Sequence, residues 1–434
     1  EGKRYGGELV GRNYNYSTIT NSYATGSVTG TDQVGGLVGE NEGHSTITNS
    51  YATGTVTGQG SVGGLVGYSG YSTIQSSYAT GTVTGTNNYV GGLIGYNYKS
   101  TVTNSYATGA ATGTDQVGGL VGRHVNDSSI TNSYATGAVT GSSYVGGLVG
   151  VLAGTITKSY ATGAVTGSAD LGGLVGYKES GTVTSSFYDR ETTGRSDTGK
   201  GTPKTTAEMK TLATFSGAGW DIDGAGGTGK VWRMYEGDAY PLLRSFLTAA
   251  TATVKNDLIK VYDGSTTVAS GSHTWDIAVD EGKVFGTAVY TSASKNAGNR
   301  VVALTGLYSN QQGYDIKTQD GAVSITPKAL AVDGTTASDK TYDGNTNAAI
   351  TVGTLSGFVG TETVTATAAG VFDSKNAGSR KAEATYTLHD GDNGGLADNY
   401  SLANTTDHAA TINKKILTVA GLAADNKTYD STTN

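Results

Sequence analysis

Short apolar runs recur along the first 186 residues, and each run ends at glycine or at polar turn residues. One repeat holds three β-prone runs: Val34 through Val38, Thr18 through Ala24, and a run around Val28. At about 3.3 Å per residue, runs this short cannot build an independent sheet. They can form one coil of a solenoid, in which each run pairs with its copies about 4.8 Å away in neighbouring coils. The pattern predicts a β-solenoid over residues 1–186.

The repeat is plainest in a Gly-Gly-Leu-Val-Gly segment that begins at Gly35 and returns at intervals of 28, 28, 27, 28 and 26 residues. We expect its glycines to permit tight corners with positive φ, and Ala24 and its copies to fill a narrow corner. Length changes between repeats are expected to fall in loops, at Gln59, Asn87, His124 and Asp127. Three apolar columns are predicted to be buried: Leu37, Leu65, Leu93, Leu120, Leu148 and Leu174; Ile19, Ile47, Ile74, Val102, Ile130, Ile156 and Val183; and Val28, Val56, Val83, Ala111, Val139 and Val165.

A column of tyrosines is the first candidate binding surface. If Ser22 and Ala24 point inward, strand alternation turns Tyr23 outward. An outward aromatic ladder could stack on the sugar rings of a host or matrix glycan, whereas the alternative is cross-coil stacking that only stiffens the solenoid. The candidate ligand-binding residues are Tyr23, Tyr51, Tyr78, Tyr106, Tyr134 and Tyr160.

Pairs of threonines form a second candidate surface. Thr18 and Thr20 flank the inward Ile19, so both lie on one face of the strand. Regular Thr-x-Thr ladders could order water and bind ice, whereas the alternative is that threonine is simply a good exposed strand former. The pairs are Thr18/Thr20, Thr46/Thr48, Thr101/Thr103, Thr155/Thr157 and Thr182/Thr184, and copies with Gln75 or Ser129 break the pattern.

The rest of the chain divides into four further segments. Residues 187–246 carry bulky apolar groups and a Thr205-x-x-Glu208 capping box, which predicts a short helix through Met209 in a cap over the open solenoid end. Residues 247–326 and 327–413 are predicted to be two small β modules, and 414–434 the start of a third. They share a Tyr-Asp-Gly motif at Tyr262 and Tyr342, with Ser431 replacing glycine in the third copy, and a Lys-Asn-Ala-Gly motif that begins at Lys295 and Lys375.

Composition narrows the function classes. The 434 residues include 68 glycines but only 3 prolines, which excludes collagen. Charged residues make up 15%, the net charge is −7, and no basic patch is visible, so no nucleic-acid partner is expected.

No run of about 18 apolar residues occurs, which predicts no membrane-spanning segment. Cysteine is absent, as suits a chain exported unfolded, although a cytosolic chain could also lack it. Both termini fall within repeats, so we expect a longer parent protein.

Catalytic chemistry is not visible in the sequence. The five histidines (His44, His124, His273, His389 and His408) form no His-Glu-x-x-His motif, and we expect them to be solvated loop residues. The carboxylates of the repeats, such as Asp32 and Asp115, are scattered rather than clustered, unlike those of a β-helical lyase. We therefore predict no catalytic residues, no metal site, no cofactor and no enzymatic activity.

These motifs support a resemblance to known families. The Gly-Gly-Leu-Val-Gly copies resemble the GLUG repeat of large bacterial surface proteins, which include adhesins and some immunoglobulin-cleaving metalloproteases. The Tyr-Asp-Gly modules resemble the YDG repeats of haemagglutinin-like adhesins. The resemblance implies an all-β fold, with a right-handed parallel β-helix followed by a cap and serial small all-β modules, either immunoglobulin-like or β-grasp.

The same resemblance implies a function and a location. It implies a non-enzymatic segment of a secreted, filamentous haemagglutinin-like surface adhesin of Gram-negative bacteria. The segment would be a rigid rod. It would be exported by two-partner secretion through an outer-membrane partner transporter. Its ligands would be host or matrix glycans or cell-surface receptors. The alternatives are a pure structural spacer that carries a distant functional tip, and a glycan- or ice-binding β-helix surface.

Overall fold

The computed structural model describes residues 4–433, and in this part the chain is nearly all β, as the sequence predicts. It divides into two compact units. Unit 1 comprises Glu1–Ala252, Trp275–Thr287 and Gly306–Lys317, and unit 2 comprises Thr253–Thr274, Ala288–Thr305 and Thr318–Asn434. Residues 1–3 of the predicted solenoid and residue 434 of the predicted third module lie outside the described residues.

The solenoid has four parallel faces per coil rather than three runs. The first face holds Tyr5–Gly6, Gln33–Gly35, Ser61–Gly63, Asn88–Gly91, Asp115–Gly118, Ser143–Gly146 and Ala169–Gly172. The second is wide and has two strands in each early coil: Val10–Tyr14, Thr18–Thr20, Val38–Glu42, Thr46–Thr48, Val66–Gly70, Thr73–Gln75, Ile94–Tyr98 and Thr101–Thr103, which merge later into Val121–Thr131, Val149–Thr157 and Val175–Thr184.

The other two faces are narrow. The third, which we call the tyrosine face, holds Tyr23–Ala24, Tyr51–Ala52, Tyr78–Ala79, Tyr106–Ala107, Tyr134–Ala135, Tyr160–Ala161, Phe187–Asp189 and Thr202–Lys204. The fourth holds Val28–Thr29, Val56–Gly58, Val83–Gly85, Ala111–Thr112, Val139–Thr140 and Val165–Thr166. The predicted run from Thr18 to Ala24 is therefore two strands on different faces, and so is the run from Val34 to Val38.

A left-handed residue makes the corner that divides the second face from the tyrosine face. Asn21 has φ of 50°, and every later coil repeats this conformation with φ between 47° and 50°. Asparagine adopts it more readily than most residues, and it occupies four of the seven positions. The full column is Asn21, Asn49, Ser76, Asn104, Asn132, Lys158 and Ser185.

The repeated glycines serve close approach rather than positive φ, which corrects the expectation from sequence. A Cβ on Gly64 would lie 2.1 Å from the carbonyl oxygen of Gly92 and 2.8 Å from Cβ of Ala79. Gly36 is equally crowded by Gly64 in the next coil, and neither glycine is in the left-handed region. These glycines are needed because the backbones of successive coils touch there.

The predicted apolar columns are confirmed as the interior. Leucines such as Leu65 and Leu93, the isoleucine column and the alanines pack in one cluster, where Ala52 is 1% exposed and Val183 is only partly buried. The column of Val56 forms a second cluster with Val34, Val62, Val90, Val117 and Val145 of the first face. The interior therefore has two hydrophobic cores that run along the coils.

His124 is buried, which contradicts its prediction as a solvated loop residue. It lies in the strand Val121–Thr131 with no solvent exposure, in register with the buried Asn97 of the previous coil. The local length change is a register irregularity between Val125 and Ser129, so it falls inside a strand rather than in a loop. Three other histidines also lie in strands: His273, His389 and His408.

The segment after the solenoid carries the short helices Arg190–Thr193, Thr206–Met209 and Leu212–Ser216, the strands Ile222–Asp223, Trp232–Arg233 and Leu242–Leu243, and the 3-10 turn Arg244–Phe246. The predicted capping box is present, because the Thr205 hydroxyl accepts a hydrogen bond from the Glu208 backbone and the Glu208 carboxylate accepts one from the Thr205 backbone. Tyr188 extends the interior at the end of the solenoid. The larger part of the segment packs sideways on the tyrosine face rather than over the end alone.

The modules after residue 247 are built of antiparallel and parallel β-strands. In the first, the strands are Thr248–Val254, Leu258–Val261, His273–Trp275, Val284–Ser292, Gly298–Ser309, Tyr314–Gln319 and Gly321–Thr326, with the 3-10 turn Glu281–Lys283. In the second, they are Lys328–Asp333, Thr336–Ala337, Lys340–Thr341, Asn347–Ala348, Ile350–Thr351, Thr354–Ser356, Val364–Phe372, Gly378–Asp390, Tyr400–Leu402 and Thr405–Asn413, with the 3-10 turn Ala397–Asn399.

The predicted first module, 247–326, does not form one compact body. Residues 275–287 and 306–317 belong to unit 1, and the remainder belongs largely to unit 2. In the third Tyr-Asp-Gly copy, Ser431 has φ of 66°, close to the 79° of Gly264 and the 83° of Gly344. The turn keeps its geometry without the glycine.

Candidate functional site

The predicted tyrosine column is a continuous stack of parallel rings. Ring centroids are 4.8 to 5.3 Å apart from one coil to the next, and the ring planes differ by 2° to 9°. This spacing is the coil spacing of the solenoid, because each tyrosine is paired in register with its copy. Stacking of this kind contributes about 0.5–1.5 kcal/mol per pair beyond burial. The members are Tyr23, Tyr51, Tyr78, Tyr106, Tyr134 and Tyr160.

Only one end of the stack faces solvent. Tyr23 is 62% exposed, whereas Tyr106, Tyr134 and Tyr160 are at most 2% exposed. The cover is the segment 187–246, whose Phe246 stands edge-on to Tyr106 at 4.9 Å. The three covered tyrosines therefore present no free ring face to an external ligand, and the ladder hypothesis stays a prediction for Tyr23, Tyr51 and the partly buried Tyr78.

The covered tyrosines keep their hydroxyls hydrogen-bonded. The Tyr106 hydroxyl accepts from Nε2 of Gln312 at 2.7 Å, the Tyr134 hydroxyl donates to Oε1 of Gln311 at 3.0 Å, and the Tyr160 hydroxyl donates to the carbonyl of Pro241 at 2.8 Å. Burial raises the pKa of each of these hydroxyls above its ordinary value. They therefore remain protonated and hydrogen-bonded at neutral pH. The sequence does not reveal these glutamine partners, which lie more than 170 residues away.

A pocket opens at the covered end of the tyrosine face, within unit 1. Its volume is about 400 Å³, within the range of small-molecule sites. Its accessible aromatic walls are the half-buried Tyr240, Phe285 and Tyr308, whereas Tyr134 and Tyr160 also border it but are almost fully covered. Its polar groups include Lys210, Asp238, Asn310 and Gln311. An aromatic surface with convergent amide, carboxylate and ammonium groups can hold a ligand that has both apolar faces and hydroxyl groups.

The threonine pairs lie where the sequence predicts. Thr18 and Thr20 are exposed on either side of the buried Ile19, and the Thr46 hydroxyl donates to the Thr18 hydroxyl at 3.1 Å. The Ser129 hydroxyl donates to the Thr101 hydroxyl in the same way at 3.3 Å, whereas the Thr155 hydroxyl donates to the carbonyl of Ser128. Ice binding at this face stays a prediction.

A buried polar column inside the second face is a feature that sequence reasoning missed. It contains Asn13, Asn41, Ser69, Asn97 and His124, one from each successive coil. Nδ2 of Asn13 donates to Oδ1 of Asn41 at 2.7 Å, and Nδ2 of Asn97 donates to Nδ1 of His124 at 3.0 Å. The signal was present in the sequence as polar residues at a constant offset after the repeated leucine of these five coils, and Leu152 ends the column in the next coil.

The His124 imidazole is held neutral. Because Nδ1 accepts from Asn97, the proton of the neutral ring lies on Nε2, which has no hydrogen-bond partner among the described residues. Burial lowers the pKa of His124 to about 4, against smaller opposing effects of the backbone at Ser128 and Thr155. Within residues 4–433, no group of three or more His, Asp and Glu side chains lies close enough to hold a metal ion. In the same residues no helix is long and apolar enough to cross a membrane.

Comparison with known families finds two kinds of repeat in the chain. The GLUG motif matches residues 7–29, 30–57, 58–84, 86–112, 113–140 and 141–166, and the YDG domain matches residues 326–407. The GLUG matches coincide with the solenoid coils, and the YDG match falls on the second module. Both resemblances named from the sequence are therefore confirmed at the level of the repeats.

Two individual proteins are also similar to parts of this chain. A protein of Evansella cellulosilytica, provisionally described as a Gly-rich membrane protein, is 56% identical over 62 residues, which is 14% of this chain and 6% of that protein. The chain thus matches only a small part of that relative's length. A crystal structure of a protein from Bacteroides ovatus, provisionally described as an immunoglobulin A1 protease, shares 19% identity with a TM-score of 0.33 over 54% of this chain and 70% of that one.

Proposed function

We propose that this chain is a non-enzymatic segment of a secreted bacterial surface adhesin, in which the solenoid serves as a rigid stalk. The observation that carries the proposal is the coil-to-coil register of the solenoid. Every face pairs in parallel with the next coil, and the tyrosine stack adds aromatic contacts along the same direction. Repeated stacking resists bending because each coil is bonded to its neighbours along its whole perimeter.

The comparisons support the surface location in coarse terms. GLUG and YDG repeats, together with a relative described as a Gly-rich membrane protein, indicate a surface-associated repeat protein. We infer that export as an unfolded chain through an outer-membrane partner transporter suits such a fold, because coils can be added one at a time outside the cell. Host or matrix glycans and cell-surface receptors are the proposed ligands.

A direct binding measurement distinguishes an adhesin from a pure structural spacer. Beads coated with the intact chain are expected to bind epithelial cells and matrix glycans saturably, and soluble chain is expected to compete. Beads coated with heat-denatured chain are the control. Absence of binding by the folded chain across the panel would contradict the adhesin proposal and favour a pure spacer.

A glycan site is the second candidate function, and the aromatic pocket of unit 1 favours it. Sugar rings present apolar C–H faces that pack on aromatic rings, while their hydroxyls bond to carboxylates and amides. Asp238 and Asn310 lie at the exposed rim of the pocket. Their substitution leaves the buried tyrosine contacts untouched.

The test uses two pairs of variants on a glycan array. If the pocket binds, Asp238→Asn with Asn310→Ala is expected to abolish binding, and Tyr23→Ala with Tyr51→Ala to leave it unchanged. The opposite result would assign binding to the open end of the ladder. Asp257→Asn, an exposed substitution in unit 2, is the matched control. Binding that survives both pairs would remove the glycan proposal for these surfaces.

A further inference from the structure

Each Tyr-Asp-Gly turn is closed by a lysine from the preceding strand. Nζ of Lys260 contacts Oδ1 of Asp263 at 2.8 Å and the carbonyl of Ser265 at 2.7 Å. Lys340 makes the same contacts with Asp343 at 2.8 Å and Asn345 at 3.0 Å. The aspartate and glycine of the motif are therefore used inside the turn. The turn alone does not account for the tyrosine.

The first tyrosine of the motif has a partner in the next module. Tyr262 is 1% exposed, and its hydroxyl lies 2.8 and 2.9 Å from the two carboxylate oxygens of Glu362. The same carboxylate accepts from the Tyr400 hydroxyl at 2.7 Å and from Nζ of Lys295 at 3.1 Å. All four residues belong to unit 2. The carboxylate is thus shared by donors from both modules.

The Lys-Asn-Ala-Gly motif completes this joint. The backbone N–H of Ala297 donates to Oδ1 of Asn399 at 2.8 Å, and Nδ2 of Asn399 donates to Oδ1 of Asn296 at 3.1 Å. Asn399 has no solvent exposure. One module therefore supplies a socket of Tyr262, Lys295, Asn296 and Ala297. The next supplies an insert of three side chains: Glu362, Asn399 and Tyr400.

The second module repeats the whole socket. Tyr342 precedes Lys375 by 33 residues, the same separation as from Tyr262 to Lys295 (375 − 342 and 295 − 262). The loop geometry is also kept, because Arg380 donates to the carbonyls of Asn376 at 2.7 Å and Ala377 at 3.2 Å. Arg300 does the same for Asn296 at 3.0 Å and Ala297 at 2.6 Å. The second loop is therefore built to the same shape.

This second socket is open. Tyr342 is 37% exposed, against 1% for Tyr262. A cavity of about 450 Å³ lies there, lined by Tyr342, Asn376, Ala377, Lys414, Lys415 and Leu417. Among the described residues, neither the Lys375 ammonium nor the Ala377 N–H has a hydrogen-bond partner. The surface thus presents a cation, a hydroxyl and a backbone N–H, which are all donors that a carboxylate and an amide oxygen would satisfy.

We propose that Tyr342, Lys375, Asn376 and Ala377 form a docking socket for a further Tyr-Asp-Gly module, which inserts a glutamate, an asparagine and a tyrosine equivalent to Glu362, Asn399 and Tyr400. The tyrosine of the Tyr-Asp-Gly motif and the Lys-Asn-Ala segment then specify how modules join, whereas the aspartate and glycine shape the turn within each module. This inference goes beyond the stalk proposal, and it holds whether or not the chain binds a glycan.

The first experiment uses the chain as it exists. Tyr262→Phe and Lys295→Met are expected to lower the urea midpoint of unit 2, because each removes a donor from the nearly buried Glu362. The repeated substitutions, Tyr342→Phe and Lys375→Met, are expected to leave the midpoint unchanged. If Tyr342→Phe destabilises the chain as much as Tyr262→Phe, the tyrosine acts within its own module and the proposal is wrong.

The second experiment fills the socket. A second copy of residues 348–413 is appended after Asn434, since the sequence from 415 onward aligns with that from 328 onward, and this copy brings its own insert residues. The amide of Ala377 is then expected to exchange at least about tenfold more slowly, in keeping with one new charge-assisted joint.

Variants of the appended copy identify the insert. Glu362→Gln with Asn399→Ala in that copy should abolish the protection of Ala377. Glu383→Gln in the same copy, an exposed position, is the matched control and should retain it. An Ala377 amide that exchanges equally fast with and without a folded appended module would overturn the proposal. If the appended module does not fold, the substitutions in the original chain still decide it.

Discussion

In the solenoid a repeated residue contacts its own copy one coil away, whereas in unit 2 a repeated residue contacts a different residue of the next module. Leu65 accepts from Leu37 and donates to Leu93 through the backbone, and Tyr106 stacks on Tyr78 and Tyr134. Tyr262, in contrast, contacts Glu362. A residue that is repeated once per coil therefore contacts its own copy in the next coil. A residue that is repeated once per module lies instead at the joint between two modules.

The largest expected effect comes from adding one methyl group between coils. Gly64→Ala places a Cβ 2.1 Å from the Gly92 carbonyl oxygen, and backbone on both sides leaves no flexible group to move. We expect a loss of about 4 kcal/mol or more in the free energy of unfolding, or failure to fold, measured by urea denaturation. Gly229→Ala, where no atom lies within 4 Å of the new Cβ and φ is not left-handed, is the control and should be near neutral. Equal stability of the two variants would refute the close-approach explanation.

The buried histidine makes the solenoid sensitive to acid. Folding lowers the pKa of His124 from an ordinary 6.5 to about 4. Between these two pH values His124 is therefore protonated in the unfolded chain and neutral in the folded chain. The stabilisation is complete above pH 6.5 and is lost as the pH falls from 6.5 towards 4, by up to about 3 kcal/mol. His124→Asn copies the residue at the equivalent position of the neighbouring coil, Asn97, and should remove this part of the pH dependence. A denaturation midpoint that falls equally in both proteins would show that His124 is not the cause.

The module joint gives a smaller effect. Glu362→Gln should cost about 2 kcal/mol, because it removes the charge that Tyr262, Tyr400 and Lys295 share. Urea denaturation of unit 2 measures this, and Glu383→Gln at an exposed position is the control, with an expected change near zero.

The joint should also respond to pH at both extremes. Burial raises the pKa of Glu362, but the hydrogen bonds from Tyr400, Tyr262 and Lys295 outweigh it, and the net pKa lies below the ordinary 4.5. Its contribution is therefore present above pH 4.5 and is lost as the pH falls further. Burial and Glu362 raise the pKa of Tyr262 and Tyr400 to about 12, so their contribution is lost as the pH rises from 10 through 12. A unit 2 stability that is flat across both windows would contradict this joint.

The smallest effect separates the two ends of the tyrosine stack. Tyr106→Phe removes the hydroxyl that accepts from Gln312, and should cost about 1 kcal/mol in thermal or urea unfolding. Tyr23→Phe at the exposed end should cost close to nothing, since water replaces the lost bond. Similar costs at both positions would mean that the cover over the stack does not contribute to stability.

Several features could be predicted from the sequence because they depend on local period. The buried columns of Leu65 and Ile47, the outward tyrosines and the capping box at Thr205 follow from strand alternation and helix-capping chemistry. The four-faced coil could not be predicted, because the corner depends on a left-handed Asn21 that looks like any polar strand residue. The burial of His124 was missed for a similar reason: its position is polar in the four preceding coils, from Asn13 to Asn97, and polar positions are usually exposed.

The features of the candidate sites also divide into those that the sequence predicts and those that it does not. The sequence by itself determined the solenoid, its repeat and the residues that line its core, since these require only contacts between a residue and its own copy. Only the tertiary structure decided which tyrosines are covered, which glutamines bond to them, and which Tyr-Asp-Gly socket is filled. The reason is physical: these contacts join different residues of segments separated by 100 to 206 residues, so no local pattern in the chain shows which residues meet.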